Sequence, residues 1–249
     1  MSVRTKRDDR VLVITLDRPA KRNAINPELT SGLDAAMNVL EDDDDLLVGV
    51  LTGGPDVFCA GADLGEGPGE PTERGGIAGL IRRHRTKPLI AAVEGYAVGG
   101  GLELVLCCDM VVASSEASFA FPEVKRGLMP DFGGAIRIHR FIPPNVAREM
   151  LLTGDPITAE RAERIGLVNH VVAQGQALDA ALELAGRITA NAPVAVREAL
   201  ALVNHEVAGD ETDAWERSDA AHERLLATED VIEGVTAFFE KRPPNWKGR

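Results

Sequence analysis

Three segments hold residues whose types and spacing could do chemistry together. Phe58-Cys59-Ala60-Gly61-Ala62-Asp63-Leu64 sets small residues on either side of a glycine. Such a segment lets a ligand come close to the backbone and leaves N–H groups free. Val98-Gly99-Gly100-Gly101-Leu102-Glu103 follows an apolar run and opens a helix. Its glycines expose N–H donors at the positive end of a helix dipole, which suits an oxyanion. The third segment, Phe121 to Gly134, presents two acids, Glu123 and Asp131, and is stiffened by Pro122 and Pro130. Taken singly, each has a plainer reading. The first is a tight turn, the second is close strand–helix packing with Glu103 compensating the dipole, and the third is a solvated loop. Together, two N–H sites on separate strand–helix junctions with Glu103 and Glu123 make a thioester enolate site: donors for the oxyanion, acids and bases for the protons.

Rival chemistries lack their parts. No Gly-Lys-Ser/Thr follows the glycines, so a nucleotide loop is excluded, and no GxGxxG marks a dinucleotide site. Covalent acyl transfer has neither a GxSxG serine nor an evident Cys–His pair. No Cys or His spacing fits zinc, so no metal is expected.

The elements that must hold these segments alternate. Apolar runs at 11–16, 46–51, 89–93, 110–113, 118–121 and 167–172 predict strands. Helical spacing predicts helices over 27–40 (capped by Asn26, Pro27 at its first position), 102–108, 147–152, 158–165 and 176–190. Residues 65–79, rich in Gly, Pro and Glu, read as a mobile loop ending in a short helix. Past Ala190 the strand signal stops and two or three helices follow, up to a basic tail from Lys241 to Arg249. The fold class is therefore α/β, with a helical end that packs on the first unit or on another subunit.

Composition sets the outer bounds. The chain has 249 residues, 45% hydrophobic and 27% charged, enough for one sizeable core. Its 27 Lys and Arg face 39 Asp and Glu, a net charge of −12, so a nucleic-acid partner is not expected. Cys59, Cys107 and Cys108 form no disulfide framework, and the adjacent pair reads as small buried hydrophobes in a helix. With no signal segment and no membrane span, a cytoplasmic location is expected.

Several motifs in order make a resemblance explicit. Arg18 to Asn26 (RPAKRNAIN), FCAGADL, Lys87 to Asp109 (KPLIAAVEGYAVGGGLELVLCCD), FAFPEVKRGLMPDFGG, Leu151 to Val172 and the stretch AFFEKRPPNW resemble enoyl-CoA hydratases of the crotonase superfamily. The match runs from about residue 10 to the C-terminus. The resemblance implies a crotonase-like spiral of ββα units over residues 1–190, carrying the acyl-CoA site, and a helical trimerisation region over 191–249. It implies that Ala62 and Gly100 donate the two oxyanion N–H bonds. Glu103 and Glu123 become the hydratase carboxylates, one activating water and the other protonating the α-carbon. It places the adenine and pantetheine near Ala60, Ala62, Asp63 and Leu64, with Lys21 and Arg22 as candidates for the CoA phosphates. Lys241, with Phe238 nearby, would close over CoA, from this chain or a neighbouring subunit. No cofactor is implied, since coenzyme A is part of the substrate, and the expected assembly is a homotrimer or a dimer of trimers.

One departure divides the functional expectation. The usual hydratase has Pro-Gly-x-Gly-Gly where this chain has Pro130-Asp131-Phe132-Gly133-Gly134. By resemblance, an acid eight residues after the second carboxylate belongs to dienoyl-CoA isomerases, yet those often lack a counterpart of Glu103. The first expectation is hydration of a trans-2-enoyl-CoA to the 3-hydroxyacyl-CoA in fatty-acid or related catabolism. The second is an isomerase using Asp131. The third, a non-catalytic acyl-CoA binding protein, would have little need of either Glu103 or Glu123.

Overall fold

The computed structural model describes residues 2–208 and 211–247. The elements in order are β1 (Val3–Asp8), β2 (Val11–Leu16), α1 (Pro27–Asp42), β3 (Val48–Thr52), β4 (Leu89–Val93), β5 (Tyr96–Val98), α2 (Gly100–Val105), β6 (Met110–Ser114), β7 (Ser118–Ala120), α3 (Gly134–Arg137), α4 (Pro144–Thr153), β8 (Ile157–Thr158), α5 (Ala159–Arg164), β9 (His170–Val172), α6 (Ala177–Thr189), α7 (Pro193–Ala208), α8 (Thr212–Leu226) and α9 (Glu229–Glu240). Six strands form one sheet in the order β1-β2-β3-β4-β6-β9. All its neighbours pair in parallel except the β1–β2 hairpin. A second sheet, β5-β7-β8, stands beside it.

Strands buried on both faces read as unbroken apolar runs, and this explains VLVITL and LIAAV. One face of the large sheet and α1 enclose the main core, with Leu29, Leu33, Met37 and Leu40 fully buried. The other face carries Val11, Val48, Val50, Ile90, Ala92 and Val112, and α6 lies on it through Ala177, Ala181 and Ala185. Alanines on that stripe let the helix approach the sheet closely. Asn26 caps α1 as expected, its Oδ1 accepting the Leu29 N–H at 3.0 Å.

Several expected boundaries shift. β1 is an edge strand of sequence VRTKRD, exposed along five of its six residues, so it lacks an apolar run to announce it. Tyr96–Val98, expected as part of a turn, is a strand because it pairs with β7. α2 begins at Gly100 and ends at Val105, earlier than the apolar pattern indicates. The last strand spans only His170–Val172. Cys108 is buried, but Cys107 is half-buried past the end of α2 and accepts from the Arg137 guanidinium. The 65–79 stretch ends in a single 3-10 turn at Ile77–Gly79, and it is tied to α1 by Thr72–Asp34 and Arg74–Asp42 hydrogen bonds. Among the described residues three helices follow Ala190. Gly248 and Arg249 of the expected basic tail lie outside the described residues.

A buried ion pair fixes the strands that carry the site. Arg85 donates twice to Asp109 at 2.8 Å and also to the carbonyls of Cys107 (2.7 Å) and Lys87 (2.9 Å). Asp109 in turn accepts the Leu89 N–H at 2.7 Å, so the starts of β4 and β6 share one clamp. Removing one partner strands the other charge in the interior. Arg85→Ala is expected to lower unfolding free energy by about 3–5 kcal/mol in urea titration; a loss below about 1 kcal/mol would show that the clamp is not the strand anchor described here.

Candidate active site

The FCAGADL segment threads between three backbones. The Ile25 N–H donates to the Gly61 carbonyl at 2.8 Å, the Asp63 N–H to the Ile25 carbonyl at 2.9 Å, and the Val98 N–H to the Cys59 carbonyl at 3.1 Å. Two glycines permit this packing. Gly61 holds φ +92, and a Cβ there would lie 2.9 Å from the Val98 carbonyl oxygen and 3.3 Å from the Gly100 nitrogen. A Cβ on Gly101 would lie 2.4 Å from the Cys59 carbonyl oxygen. A side chain at either place would push α2 off the segment.

The result is a pair of backbone donors side by side. The Ala62 nitrogen lies 3.4 Å from the point where a Gly100 Cβ would sit. Among the described residues, neither the Ala62 nor the Gly100 N–H donates to a protein acceptor. Two free donors side by side, one of them at a helix start, are the kind of arrangement that can hold an oxyanion.

Glu103 stands in the first turn of α2, only 2% exposed. Its Oε1 accepts the Gly134 N–H at 2.7 Å. Burial, then the Glu123 charge, pushes its carboxyl well above the ordinary range; the N–H bonds from Gly134 and Phe132 only partly offset this. Glu123 begins the 3-10 turn Pro122–Arg126 that follows β7. Its Oε1 lies 2.9 Å from the point where a Gly99 Cβ would sit, so it faces the glycine turn. Its Oε2 is buried and meets no hydrogen-bond partner. Burial pushes Glu123 up to about 7, with the Asp131 charge adding to the effect. Burial raises both carboxyls, that of Glu123 to about 7, and a raised carboxyl can serve as an acid while its neighbour serves as a base.

Asp131 joins them from the loop before α3. Its Oδ2 lies 3.0 Å from Nδ1 of His222, which projects from α8. That contact lacks the alignment of a hydrogen bond. Burial raises the Asp131 carboxyl, His222 pulls it down, and Asp219 pushes it up again.

The structure thus brings Ala62, Gly100, Glu103, Glu123 and Asp131 to one place. The CoA candidates fall into two groups. Lys21 and Arg22 sit exposed on the 3-10 turn Pro19–Lys21 and its cap, just ahead of Ala60, whose N–H donates to the Arg22 carbonyl at 3.0 Å. Ala60 and Leu64 are half-buried beside them. Asp63 is already engaged: the Arg18 guanidinium at 2.7 Å holds its carboxyl below the usual range. Phe238 and Lys241 lie elsewhere, at the end of α9, in a cleft of about 300 Å³ shared with Lys125, Arg126 and Arg242. There the Arg126 guanidinium lies over the Phe238 ring at 4.7 Å.

Sequence reasoning missed the contribution of α8. Glu211, just before it, accepts from Arg137 (2.9 Å), from Arg140, and from the Trp215 indole N–H (3.0 Å). Burial pushes Glu211 up, but the two guanidiniums win and hold it at about 2. Arg82 and Arg137 both stack on the Trp215 ring, at 4.2 and 5.3 Å. That ring lies 3.1 Å from where a Gly133 Cβ would be, next to the residue that donates to Glu103. The available signal was the spacing Glu211, Trp215, Asp219, His222, which places all four on one helical face.

The chain belongs to the enoyl-CoA hydratase/isomerase family, whose model matches residues 6–249. It is 41% identical over 259 residues to a carnitinyl-CoA dehydratase of Salmonella paratyphi A, covering 100% of this chain and 99% of the relative. Among solved structures, a carnitinyl-CoA hydratase from Mycobacterium avium matches with TM-score 0.95 at 43% identity, covering 100% of this chain and 99% of that one. An enoyl-CoA hydratase from Mycobacterium tuberculosis H37Rv matches with TM-score 0.81 at 42% identity, again covering 100% and 99%. The fold is the crotonase fold, and the protein is an enzyme of the hydro-lyase type. Among the described residues no helix is long and apolar enough to cross a membrane.

The raised carboxyl of Glu123 has a stability consequence. The folded state favours its protonated form, so its contribution is fully present below the ordinary value of 4.5 and is lost as pH rises through about 7. Glu123→Gln should therefore melt higher than the parent at pH 8, by the equivalent of about 1–3 kcal/mol, with the gap closing toward pH 5. Melting curves that stay parallel across pH 5 to 8 would contradict the raised value.

Proposed function

We propose that this enzyme catalyses the reversible hydration of a short trans-2-enoyl-CoA, with the carnitinyl-CoA/4-(trimethylammonio)but-2-enoyl-CoA pair as its preferred substrates. The observation that carries the reaction is the convergence of Glu103 and Glu123 beside the unpaired Ala62 and Gly100 N–H groups. The relatives named for carnitinyl-CoA support the choice of acyl group. This narrows the general enoyl-CoA expectation.

In the forward direction the thioester oxygen accepts from Ala62 and Gly100. One carboxylate of the pair takes a proton from water as its oxygen bonds to C3. Electrons move through C2 to the thioester oxygen, and the enolate charge develops where the two donors stand. The other, protonated carboxyl delivers its proton to C2. The pair begins and ends with one proton between them, so no outside acid or base is needed. Preset dipoles of this kind are typically worth ~3 kcal/mol of barrier per donor. The CoA moiety would run past Ala60, Asp63 and Leu64, its phosphates meeting Lys21 and Arg22, with Lys241 and Phe238 of a neighbouring subunit closing over it.

A second reading, double-bond migration with Asp131 as proton carrier, is favoured by one observation: the Asp131 charge raises the carboxyls of both Glu103 and Glu123. For the assembly we propose a homo-oligomer, trimer or dimer of trimers, joined through α7. Val194, Leu202, Val203 and Val207 of α7 are all more than half exposed, an apolar surface that a second copy would cover. Light scattering should give a multiple of three chains; a monomer at micromolar concentration would refute it.

Absorbance of the conjugated thioester decides between the reactions. Loss of absorbance with 2-enoyl-CoAs is expected, and Glu103→Gln or Glu123→Gln should each lower kcat by about 10²–10⁴-fold. The pH profile should be bell-shaped. An unchanged 2-enoyl series with conversion of a 3,5-dienoyl-CoA to its 2,4-isomer would establish the isomerase instead.

A further inference from the structure

From Phe58 to Asp63 every backbone N–H but one is engaged. Phe58 donates to the Glu94 carbonyl at 2.9 Å, Cys59 to that of Tyr96 at 3.1 Å and Ala60 to that of Arg22 at 3.0 Å. Gly61 donates to the Cys59 sulfur at 3.4 Å, and Asp63 to the Ile25 carbonyl at 2.9 Å. Among the described residues the Ala62 N–H has no protein acceptor. The facing backbone explains the choice. Ile25 bridges Ala62 in parallel, and takes its two hydrogen bonds from Gly61 and Asp63, so the Ala62 N–H is turned to the other side. A slip of one residue would put the Ala62 N–H on the Ile25 carbonyl and free a neighbour in its place.

That register hangs on one side chain. Asn23 is 1% exposed and, like Arg22, has a left-handed backbone (φ +56 and +53), which asparagine tolerates better than most residues. Its amide nitrogen donates to the carbonyls of Gly53 (2.8 Å), Val57 (3.0 Å) and Phe58 (3.1 Å), and its Oδ1 accepts the Arg18 N–H at 2.8 Å. Its own carbonyl accepts the Cys59 thiol at 3.0 Å, and the same sulfur takes the Gly61 N–H. Pinning the carbonyls of Val57 and Phe58 stops the segment from sliding along residues 22–25. We infer that Asn23 is a positioning residue for the reaction: acting through the 57–63 segment, it fixes the register in which Ala62, rather than Gly61 or Asp63, presents its N–H to the thioester oxygen. This rests on the reading of Ala62 and Gly100 as oxyanion donors, and adds the residue that selects one of them.

Asn23→Gly keeps the left-handed backbone and removes the amide. With a 2-enoyl-CoA it should lower kcat and kcat/KM together, by about 10–10²-fold, with KM within about threefold of the parent, because a displaced donor is missed chiefly as charge develops. A merely structural asparagine would lower the folded fraction and leave each folded site as before. The deciding readout is therefore the infrared stretch of an isotope-labelled thioester carbonyl in butanoyl-CoA, a saturated thioester that cannot be hydrated, bound at saturation to the full-length protein. In the parent, two donors should pull the stretch below its value for the free thioester, and Asn23→Gly should lose most of that displacement while still binding CoA. A parent-like displacement in Asn23→Gly would overturn the inference, even if turnover fell. Should that variant not fold, Cys59→Ala cuts the sulfur link between Asn23 and Gly61; a reduced displacement there supports the inference and an unchanged one overturns it. The failure of the underlying reading looks different: a parent with no displacement at all would remove the oxyanion donors, and the positioning role with them.

Discussion

The site depends on keeping two carboxyl groups, Glu103 and Oε2 of Glu123, buried. A single exposed glutamate titrates near 4.5 and is a poor acid at neutral pH. Burial raises both Glu103 and Glu123, Glu123 to about 7, and the Glu123 charge adds to the rise at Glu103. The Gly134 N–H on Glu103 limits that effect and aims the carboxyl at the same time. Everything that holds this arrangement in place can be read as a consequence of the need to bury charge without losing control of it.

The parallel sheet supplies the control. β4 delivers the chain to the glycine turn, and β6 anchors the region after α2, with the buried Arg85–Asp109 pair joining their starts. The free N–H groups of Ala62 and Gly100 then need no side chains. They arise because Gly61 and Gly101 let the 58–64 segment and the start of α2 approach more closely than any Cβ would allow. Backbone donors placed this way are rigid, so they stabilise developing charge without reorganising at the moment of reaction.

Much of this was legible in the sequence, and the unread parts have physical reasons. Glu103 in the first turn of α2 and the glycine-rich junctions follow from local rules, because helix starts and close backbone approaches leave marks within a few residues. α6 and α1 announce themselves through amphipathic spacing. β1 does not, because an edge strand with five exposed residues has the composition of a loop. Tyr96–Val98 becomes a strand only through its distant partner at Ser118–Ala120. The role of Gly134 as a donor to Glu103, 31 positions away, is likewise a long-range fact. His222 is the clearest case: nothing around it in the chain points to an acid 91 positions earlier.

That last contact ties the C-terminal helices to the 131–137 region. Trp215 is gripped by Arg82 and Arg137 on its faces and by Glu211 at its N–H, and it presses on Gly133. Glu211 holds Arg137, which belongs to α3, and α3 begins with Gly134, the donor to Glu103. A displacement of α8 would therefore be felt at the Glu103 carboxyl through residues 133–137. The helical end is thus part of the frame that holds Glu103, through Trp215 against Gly133 and Glu211 on Arg137.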